Sequence, residues 1–477
     1  MNSLRARLLI VLLAGVLQFH QLGRDIRSHP DEASFMTYAR GAAVNGDWLL
    51  PGALDKAPLT IYFSSISMVA IGVVADDKGV LHLDPLVGEF AARLPNVMMA
   101  ILLAGLMMRL SRAAISDEAV ALAAGLLTAL SPYILAFGAT AFTDLGLVFF
   151  SVLALYCLEC HGYRKAGLAL GLAFWCKQQA LFLLPLVALL LMAKGARRAA
   201  FIRLAQPLTL LSLLLIVWDA ARPGTSVFLL GAVNNMPAQW IVDPAEWPGR
   251  LMEWARLGVW LLGPPVVTAS LLGLTALSRF VVGATRLEQS RTRIYLIYSV
   301  AYIALHSALD FNQYDRYLLL VLPPLILVVS SHLPALLLRG RLWKGLSLSL
   351  AIVLVLVAFW SSDNGLPIGG DRGRHDGIDD LARYLNSKPV ATVIYDPWLG
   401  WELGYYLGQW NNKRRVHFPT AEALAEGALA LDEFDDRYLV ALVDRAHEDW
   451  IAALEAAGFI LTVDYEENRY IVYRISR

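Results

Sequence analysis

Long apolar stretches recur along this 477-residue chain, separated by short loops rich in arginine and lysine, and that pattern leaves few architectures open. The stretches cover residues 8–19, 94–108, 119–137, 145–158, 204–218, 257–277, 294–305, 318–329 and 346–360. Crossing the hydrocarbon takes ~20 mostly apolar residues, fewer where flanking side chains snorkel, and several of these runs reach that length with their ends included. Lipid offers the backbone no hydrogen-bond partners, so such segments must be helices. A composition of 57% hydrophobic and 17% charged residues, with mean hydropathy +0.54, excludes an ordinary soluble domain pair. The expected fold is an all-α polytopic membrane protein of about eleven transmembrane helices.

The distribution of charge sets the orientation. With the N-terminus in the cytoplasm and the spans alternating, the inner loops hold 17 basic residues against 4 acidic ones, and the outer loops before residue 361 hold 11 against 16. That asymmetry follows the positive-inside rule. The first segment follows Arg5 and Arg7 but has no small-residue cleavage site after it, so it reads as a retained anchor. Residues 58–75 are apolar too. Counting them as a span would invert every later loop, so they are expected along the outer interface.

Residues 166–192 form an apolar stretch interrupted by Trp175-Cys176-Lys177-Gln178-Gln179, with basic residues at both ends. This predicts a tight hairpin with Lys177 at its apex, where a lysine must line an aqueous or anionic cavity. Cys157 and Cys160 are three apart on one helix face. With no further ligands nearby they read, like Cys176, as buried inert thiols. Trp240, Trp247 and Trp254 read as an interfacial belt.

The composition changes after residue 360. Residues 361–370 have linker character, and residues 361–477 carry 20 acidic and 12 basic residues. Helical periodicity at 378–385, 422–430 and 448–457 alternates with strand-like runs at 390–395, 438–443, 460–465 and 470–475. The expected organisation is a transmembrane domain at 1–360, whose outer loop 23–88 carries the active site, and an extracytoplasmic α/β domain at 361–477. No internal repeat, phosphate-binding glycine loop or zinc spacing is present.

Ionisable groups cluster on the outer side. The first outer loop holds Ser28-His29-Pro30-Asp31-Glu32 and Asp55-Lys56. Asp144 follows a span at its outer end, and Asp315-Arg316-Tyr317 precede another. Carboxylates suit deprotonation of an attacking hydroxyl. Lysine and arginine suit a phosphate whose charge grows as it leaves. At a membrane surface that combination points to a donor linked to a lipid phosphate.

At these residues the chain resembles the membrane glycosyltransferases of C-type fold, in the branch of protein O-mannosyltransferases and aminoarabinose–lipid A transferases. The resemblance runs from about residue 30 to 192. Pro30-Asp31-Glu32-Ala33 is similar to the first-loop acidic motif, with Gly46-Asp47-Trp48 after it. Asp55-Lys56-Ala57-Pro58-Leu59 resembles the acidic-Lys-Pro-Pro-Leu motif, and Glu89-Phe90-Ala91-Ala92-Arg93-Leu94-Pro95 the start of the next span. Ser131-Pro132 through Thr143-Asp144 resembles the second outer loop. The Gly-Leu-Ala-rich run from Gly167 to Phe174 leads to Lys177, and Arg316-Tyr317-Leu318 is similar to a later family feature. Ala57 replaces the first proline of its pair, and Asp55 replaces the glutamate common in the aminoarabinose branch.

The resemblance implies an inverting glycosyltransferase that moves a monosaccharide from a polyprenyl phosphate carrier to a glycolipid, polysaccharide or protein acceptor. It places this activity on the outer face of a bacterial inner membrane. Asp31 would be the general base, supported by Glu32, with Asp144 a second carboxylate near the acceptor. Lys56, Lys177, Arg316 and Tyr317 would bind the carrier phosphate, with Asp55 and His29 in support. No cofactor is required. A divalent metal is compatible with the acidic position before Lys56, although its ligands are not identifiable. Partners are the lipid-linked donor, membrane lipids and the acceptor; none is nucleic acid. The alternative is a transporter or lipid-sugar flippase, which would favour internal repeats and a polar path through both leaflets. A scaffold presenting the tail would leave Asp31, Lys56 and Lys177 without a role.

Overall fold

The computed structural model describes residues 3–235, 240–281, 286–337, 352–360, 366–369, 373–431 and 436–477, with Gly345 and Ser349. Most of the linker at 361–370 and the basic positions Arg339, Arg341 and Lys344 lie outside the described residues. The chain divides into two compact units, each discontinuous in sequence: Met1–Arg24, Trp48–Ser64 and Ala92–Gly370 form the first; Asp25–Asp47, Ser65–Ala91 and Asp371–Arg477 form the second. The sequence reading divides the chain at residue 360 instead, and keeps the outer loop with the helices.

Helices in chain order are α1 (Ser3–Leu22), α2 (Pro30–Arg40), α3 (Leu59–Ile71), α4 (Pro85–Ile115), α5 (Glu118–Leu130), α6 (Pro132–Gly138), α7 (Asp144–Glu159), α8 (Tyr163–Cys176), α9 (Leu184–Ala193), α10 (Arg198–Ala221), α11 (Val227–Asn235), α12 (Trp247–Gly258), α13 (Pro265–Val281), α14 (Arg286–Ala308) and α15 (Leu322–Leu337). Among the described residues, α1, α4 and α10 are long and apolar enough to cross a membrane. The bent pair α5–α6 makes a fourth if it is one span. Its 51° bend falls at Ser131-Pro132, where proline pushes the residue before it out of the helical region. The expected count of about eleven draws on shorter apolar helices as well, of which Gln178–Ala193, Pro265–Ala276 and Leu322–His332 are described; Leu59–Ile71, also short and apolar, is the segment expected along the outer interface rather than as a span.

Two ion pairs at opposite ends of α7 define the hairpin. Lys177 leaves α8 in extended conformation (φ −160°, ψ 138°), followed by a 3-10 turn, Gln178–Leu183, and then α9. Its Nζ lies 2.6 Å from Asp144 Oδ1, at the start of α7. Lys194, just past α9, places Nζ 2.8 Å from Glu159 Oε2, at the end of α7. The two carboxylates are ~22 Å apart along the helix, so α8 and α9 run the length of α7 and back. Small residues make room for it. A Cβ on Gly167 would lie 1.9 Å from the Leu204 carbonyl of α10, and one on Gly171 2.5 Å from the Leu211 side chain.

In the second unit, α16 (Ile378–Asn386), α17 (Trp401–Tyr406), α18 (Ala421–Ala430) and α19 (Glu448–Ala456) accompany a five-stranded sheet. A small hairpin, β1 (Val74–Ala75) with β2 (Leu81–His82), precedes it. The sheet is built from β3 (Val393–Tyr395), β4 (Arg414–Val416), β5 (Arg437–Leu442), β6 (Ile460–Glu467) and β7 (Tyr470–Ser476), in the order β4-β3-β5-β7-β6. β4, β3 and β5 are parallel, while β7 joins β5 and β6 antiparallel. Val393, Tyr395, Leu424, Leu439, Leu454, Phe459 and Ile475 form its core. These elements follow the alternation expected of an α/β domain; α17 and β4 are additions too short to show a period.

Candidate active site

The acidic loop is a helix start in the second unit. His29 is the N-cap of α2: its Nδ1 accepts from the Asp31 amide at 3.1 Å, and Glu32 Oε2 accepts from the His29 amide at 3.3 Å. Pro30 at the first helical position, with Asp31 and Glu32 in the first turn, suits the positive end of the helix dipole. Glu32 is buried and closes this capping box, while Asp31 is half-exposed beside it. His29 therefore has a backbone-capping role, and its ring meets that of His375 edge-on at 5.7 Å.

The rest of the second unit grips the chain before and after this turn. Arg27 donates its amide to Asp376 Oδ1 at 2.9 Å and its Nη1 to Glu89 Oε2 at 3.0 Å. Ser28 donates its amide to the Tyr406 hydroxyl at 2.9 Å, and that hydroxyl donates to Glu89 at 3.0 Å. Arg40, at the end of α2, donates Nη1 to the Tyr405 carbonyl at 2.6 Å and lies 4.7 Å from the centre of the Tyr405 ring. Burial pulls its guanidinium below the usual arginine range. His375 Nδ1 and Glu402 Oε1, both buried, lie 2.5 Å apart.

The other expected residues lie in the first unit, where Asp55, Lys56, Lys177 and Tyr317 line a mainly apolar cavity of about 370 Å³ and Asp144 and Arg316 are not part of its lining. Its lining includes Asp55, Lys56, Lys177, Gln178, Phe182, Asn235, His306, Phe311 and Tyr317. Lys56 pairs with its neighbour Asp55, whose carboxylate also accepts from Asn234 Nδ2 at 3.3 Å. The segment before it is held by Arg222, which donates Nη2 to the carbonyls of Leu50 at 2.6 Å and Gly52 at 2.9 Å. Lys177, buried against Asp144, has its Nζ 5.1 Å from the centre of the Tyr317 ring. Tyr317 donates its hydroxyl to Asn235 Oδ1 at 3.3 Å. Arg316 is packed over the rings of Tyr314 at 4.7 Å and Phe142 at 5.1 Å. Asp144 thus neutralises Lys177 in this structure.

Asp55 is directed at Lys56 and Asn234, and among the described residues no group of three or more His, Cys, Asp or Glu side chains could hold a metal ion.

Sequence reasoning missed His306 and Phe182. His306 is buried, stacked on Tyr302 at 4.1 Å and in edge contact with Phe182 at 5.0 Å, and it lines the cavity. Its position in an apolar helix was the available signal. Trp254 is also buried, 6.2 Å from His306, whereas Trp240 and Trp247 are exposed; the belt reading therefore fails for Trp254. Cys160 is exposed rather than buried. Tyr405, Tyr406, His375 and Glu402 come from the tail, where nothing in the sequence linked them to residues 25–47.

A helical bundle with a lysine hairpin, carried in one chain with an α/β tail, has the fold of the C-type membrane glycosyltransferases. The structure of ArnT from Cupriavidus metallidurans in the apo state matches with a TM-score of 0.64 at 15% identity, covering 98% of this chain and 97% of that one. The same protein bound to undecaprenyl phosphate matches at 0.61 and 14% identity, with the same coverage of 98% and 97%. The apo oligosaccharyltransferase from Archaeoglobus fulgidus matches at 0.56 and 12% identity, covering 99% of this chain and 74% of that one. In sequence, residues 85–219 match the dolichyl-phosphate-mannose-protein mannosyltransferase family. A search of curated proteins finds no match.

Proposed function

We propose that this protein is an inverting glycosyltransferase taking a monosaccharide from a polyprenyl phosphate carrier. The acceptor is a hydroxyl of a glycolipid, polysaccharide or protein on the outer face of a bacterial inner membrane. The observation that carries the reading is the cavity of about 370 Å³, whose apolar and aromatic walls suit an isoprenoid and whose lysines, Lys56 and Lys177, suit its phosphate. ArnT, whose fold this chain shares, has been crystallised with undecaprenyl phosphate.

In this reading Asp31 takes the proton of the acceptor hydroxyl. The freed oxygen attacks the anomeric carbon from the side opposite the phosphate. The carbon–oxygen bond to the phosphate breaks with inversion, and polyprenyl phosphate leaves carrying the bond's electrons. Lys56 and Lys177 stabilise the charge that grows on that phosphate, with Arg316 and Tyr317 beside it. Glu32 acts through the cap that holds Asp31, and Asp144 acts through Lys177. The topology belongs to the same proposal: about eleven spans, the N-terminus inside and residues 361–477 outside.

The test is incubation of membranes containing the protein with a panel of polyprenyl-phosphate sugars, measuring headgroup consumption and release of free carrier phosphate. One headgroup should be consumed, and Asp31→Asn should abolish its consumption. No turnover with any donor, by protein that is folded and inserted, would overturn the reading.

A further inference from the structure

The parallel part of the tail sheet contains a topological switch point. From β3 the chain passes through α17 to β4 on one side, then through α18 to β5 on the other side of β3. In open α/β sheets ligands bind in the crevice outside the carboxyl ends of the strands at that point. Here the crevice lies between the loops that follow β3 and β5.

Those two loops present aromatic rings to each other. Trp398, three residues beyond β3, lies 5.4 Å from Trp450 and 6.5 Å from His447, ring centre to ring centre. All three are half-buried. Trp450 and Tyr473 pack against the tail core, whereas Trp398 stands outside it. Among the described residues, neither indole N–H has a hydrogen-bond partner. The Trp398 loop is held firmly: Asp396, buried at the end of β3, accepts from the amides of Leu399 at 2.7 Å and Gly400 at 2.9 Å. Gly400 has φ +46°, and its carbonyl accepts from Arg415. His447 is fixed by its own bonds, Nδ1 to the Arg445 carbonyl at 2.8 Å and Nε2 to the Tyr473 hydroxyl at 3.0 Å.

We propose that Trp398, Trp450 and His447 form a saccharide-binding platform, which on the glycosyltransferase reading takes the sugar part of the acceptor. A sugar ring offers polarised C–H groups to an indole face and hydroxyls to an indole N–H, the two things these side chains leave available. The exposed Arg445 and Glu448 on the same loop and its helix supply a polar rim.

The test uses the full chain in lipid nanodiscs, with mannotriose, chitotriose and maltotriose followed by saturation-transfer NMR, so it needs no turnover. At least one trisaccharide should bind. Trp398→Ala should weaken it tenfold or more, Trp398→Phe should keep most of the affinity, and Trp410→Ala, an exposed tryptophan elsewhere in the tail, should leave it intact. The platform is overturned if none of the three binds the wild type, if Trp398→Ala binds as well as wild type, or if Trp410→Ala costs as much as Trp398→Ala. Donor turnover is scored separately: Trp398-dependent binding without consumption of any lipid-linked sugar would sink the glycosyltransferase reading and leave the platform standing.

Discussion

Ser28 and Tyr406, 378 residues apart in sequence, are joined twice: the Ser28 amide lies 2.9 Å and its Oγ 2.6 Å from the same phenolic oxygen. Because that phenol gives its only proton to Glu89, the Ser28 hydroxyl is the donor in the second contact. One tail side chain thus fixes the backbone three residues before Asp31. Removing the hydroxyl with Tyr406→Phe leaves three buried polar groups short of a partner, and each such loss costs about 1–3 kcal/mol. Amide exchange in α2 should accelerate and kcat should fall, while affinity for the lipid donor stays at its wild-type value. Unchanged exchange in α2 would show that the tail does not position the loop.

Lys177 and Asp144 should behave as a unit. A charge-assisted bond contributes roughly 1.5–3 kcal/mol, or tenfold and more in affinity, so Lys177→Ala should weaken binding of a polyprenyl phosphate by at least that factor. Asp144→Asn should also weaken it, by releasing the ammonium from its position, and the double variant should cost much less than the two singles combined. Additive losses, measured by binding to the purified protein, would mean that the two side chains act separately.

Asp31 and Glu32 adjoin in sequence but should separate in experiment. Asp31→Asn is expected to abolish transfer with thermal stability retained. Glu32→Gln keeps a side chain able to close the capping box and should retain most activity. Glu32→Ala should cost about 0.5–2 kcal/mol of stability, the range for a lost cap. Equal loss of transfer in Asp31→Asn and Glu32→Gln, with both proteins stable, would give Glu32 a chemical role as well.

Periodicity and local chemistry were readable in the residues; long-range partnership was not. The hairpin apex at Lys177 was legible because lipid will not hold an unpaired lysine and both flanks are basic. The α16, α18 and α19 helices and most tail strands were legible because their apolar positions repeat with the right period. The partnership of residues 25–47 with the tail was not legible. It rests on a hydroxyl, a carbonyl, the contacts of Arg27 with Asp376 and Asp379 and the ring of His29 against that of His375, which leave no periodic trace. Nor did Asp144 reveal that its partner is Lys177, since a carboxylate at a helix start is equally at home as a dipole-stabilising residue.

Gly167 tests the packing that carries the hairpin. At an exposed helix position Gly→Ala stabilises by up to about 1 kcal/mol. Here the new Cβ would sit 1.9 Å from the Leu204 carbonyl, a backbone atom that can move only with α10. Gly167→Ala should therefore lower the thermal midpoint of the purified protein, and weaken carrier binding through displacement of Lys177. A raised midpoint would show that α8 and α10 separate freely.

In the tail, Asp464 accepts from Lys388 Nζ at 2.8 Å and from the Tyr384 hydroxyl. Both bonds hold its carboxyl below the usual range. For Lys388, burial pulls the ammonium down, but the bonds to Asp464 and Tyr384 outweigh it and raise the value overall. A depressed carboxylate stabilises the fold above its unfolded pKa, ~3.9, and loses that contribution as pH falls through the folded value. A raised lysine stabilises below its unfolded pKa, ~10.4, and loses that contribution as pH rises through the folded value. Stability from this cluster should thus be full between about pH 4 and 10 and decline on both sides. Asp464→Asn should lower stability across that window and flatten both flanks, read as amide exchange in β6 of the full chain against pH. A variant that shifts the curve down without flattening either flank would show that Asp464 acts by packing rather than by charge.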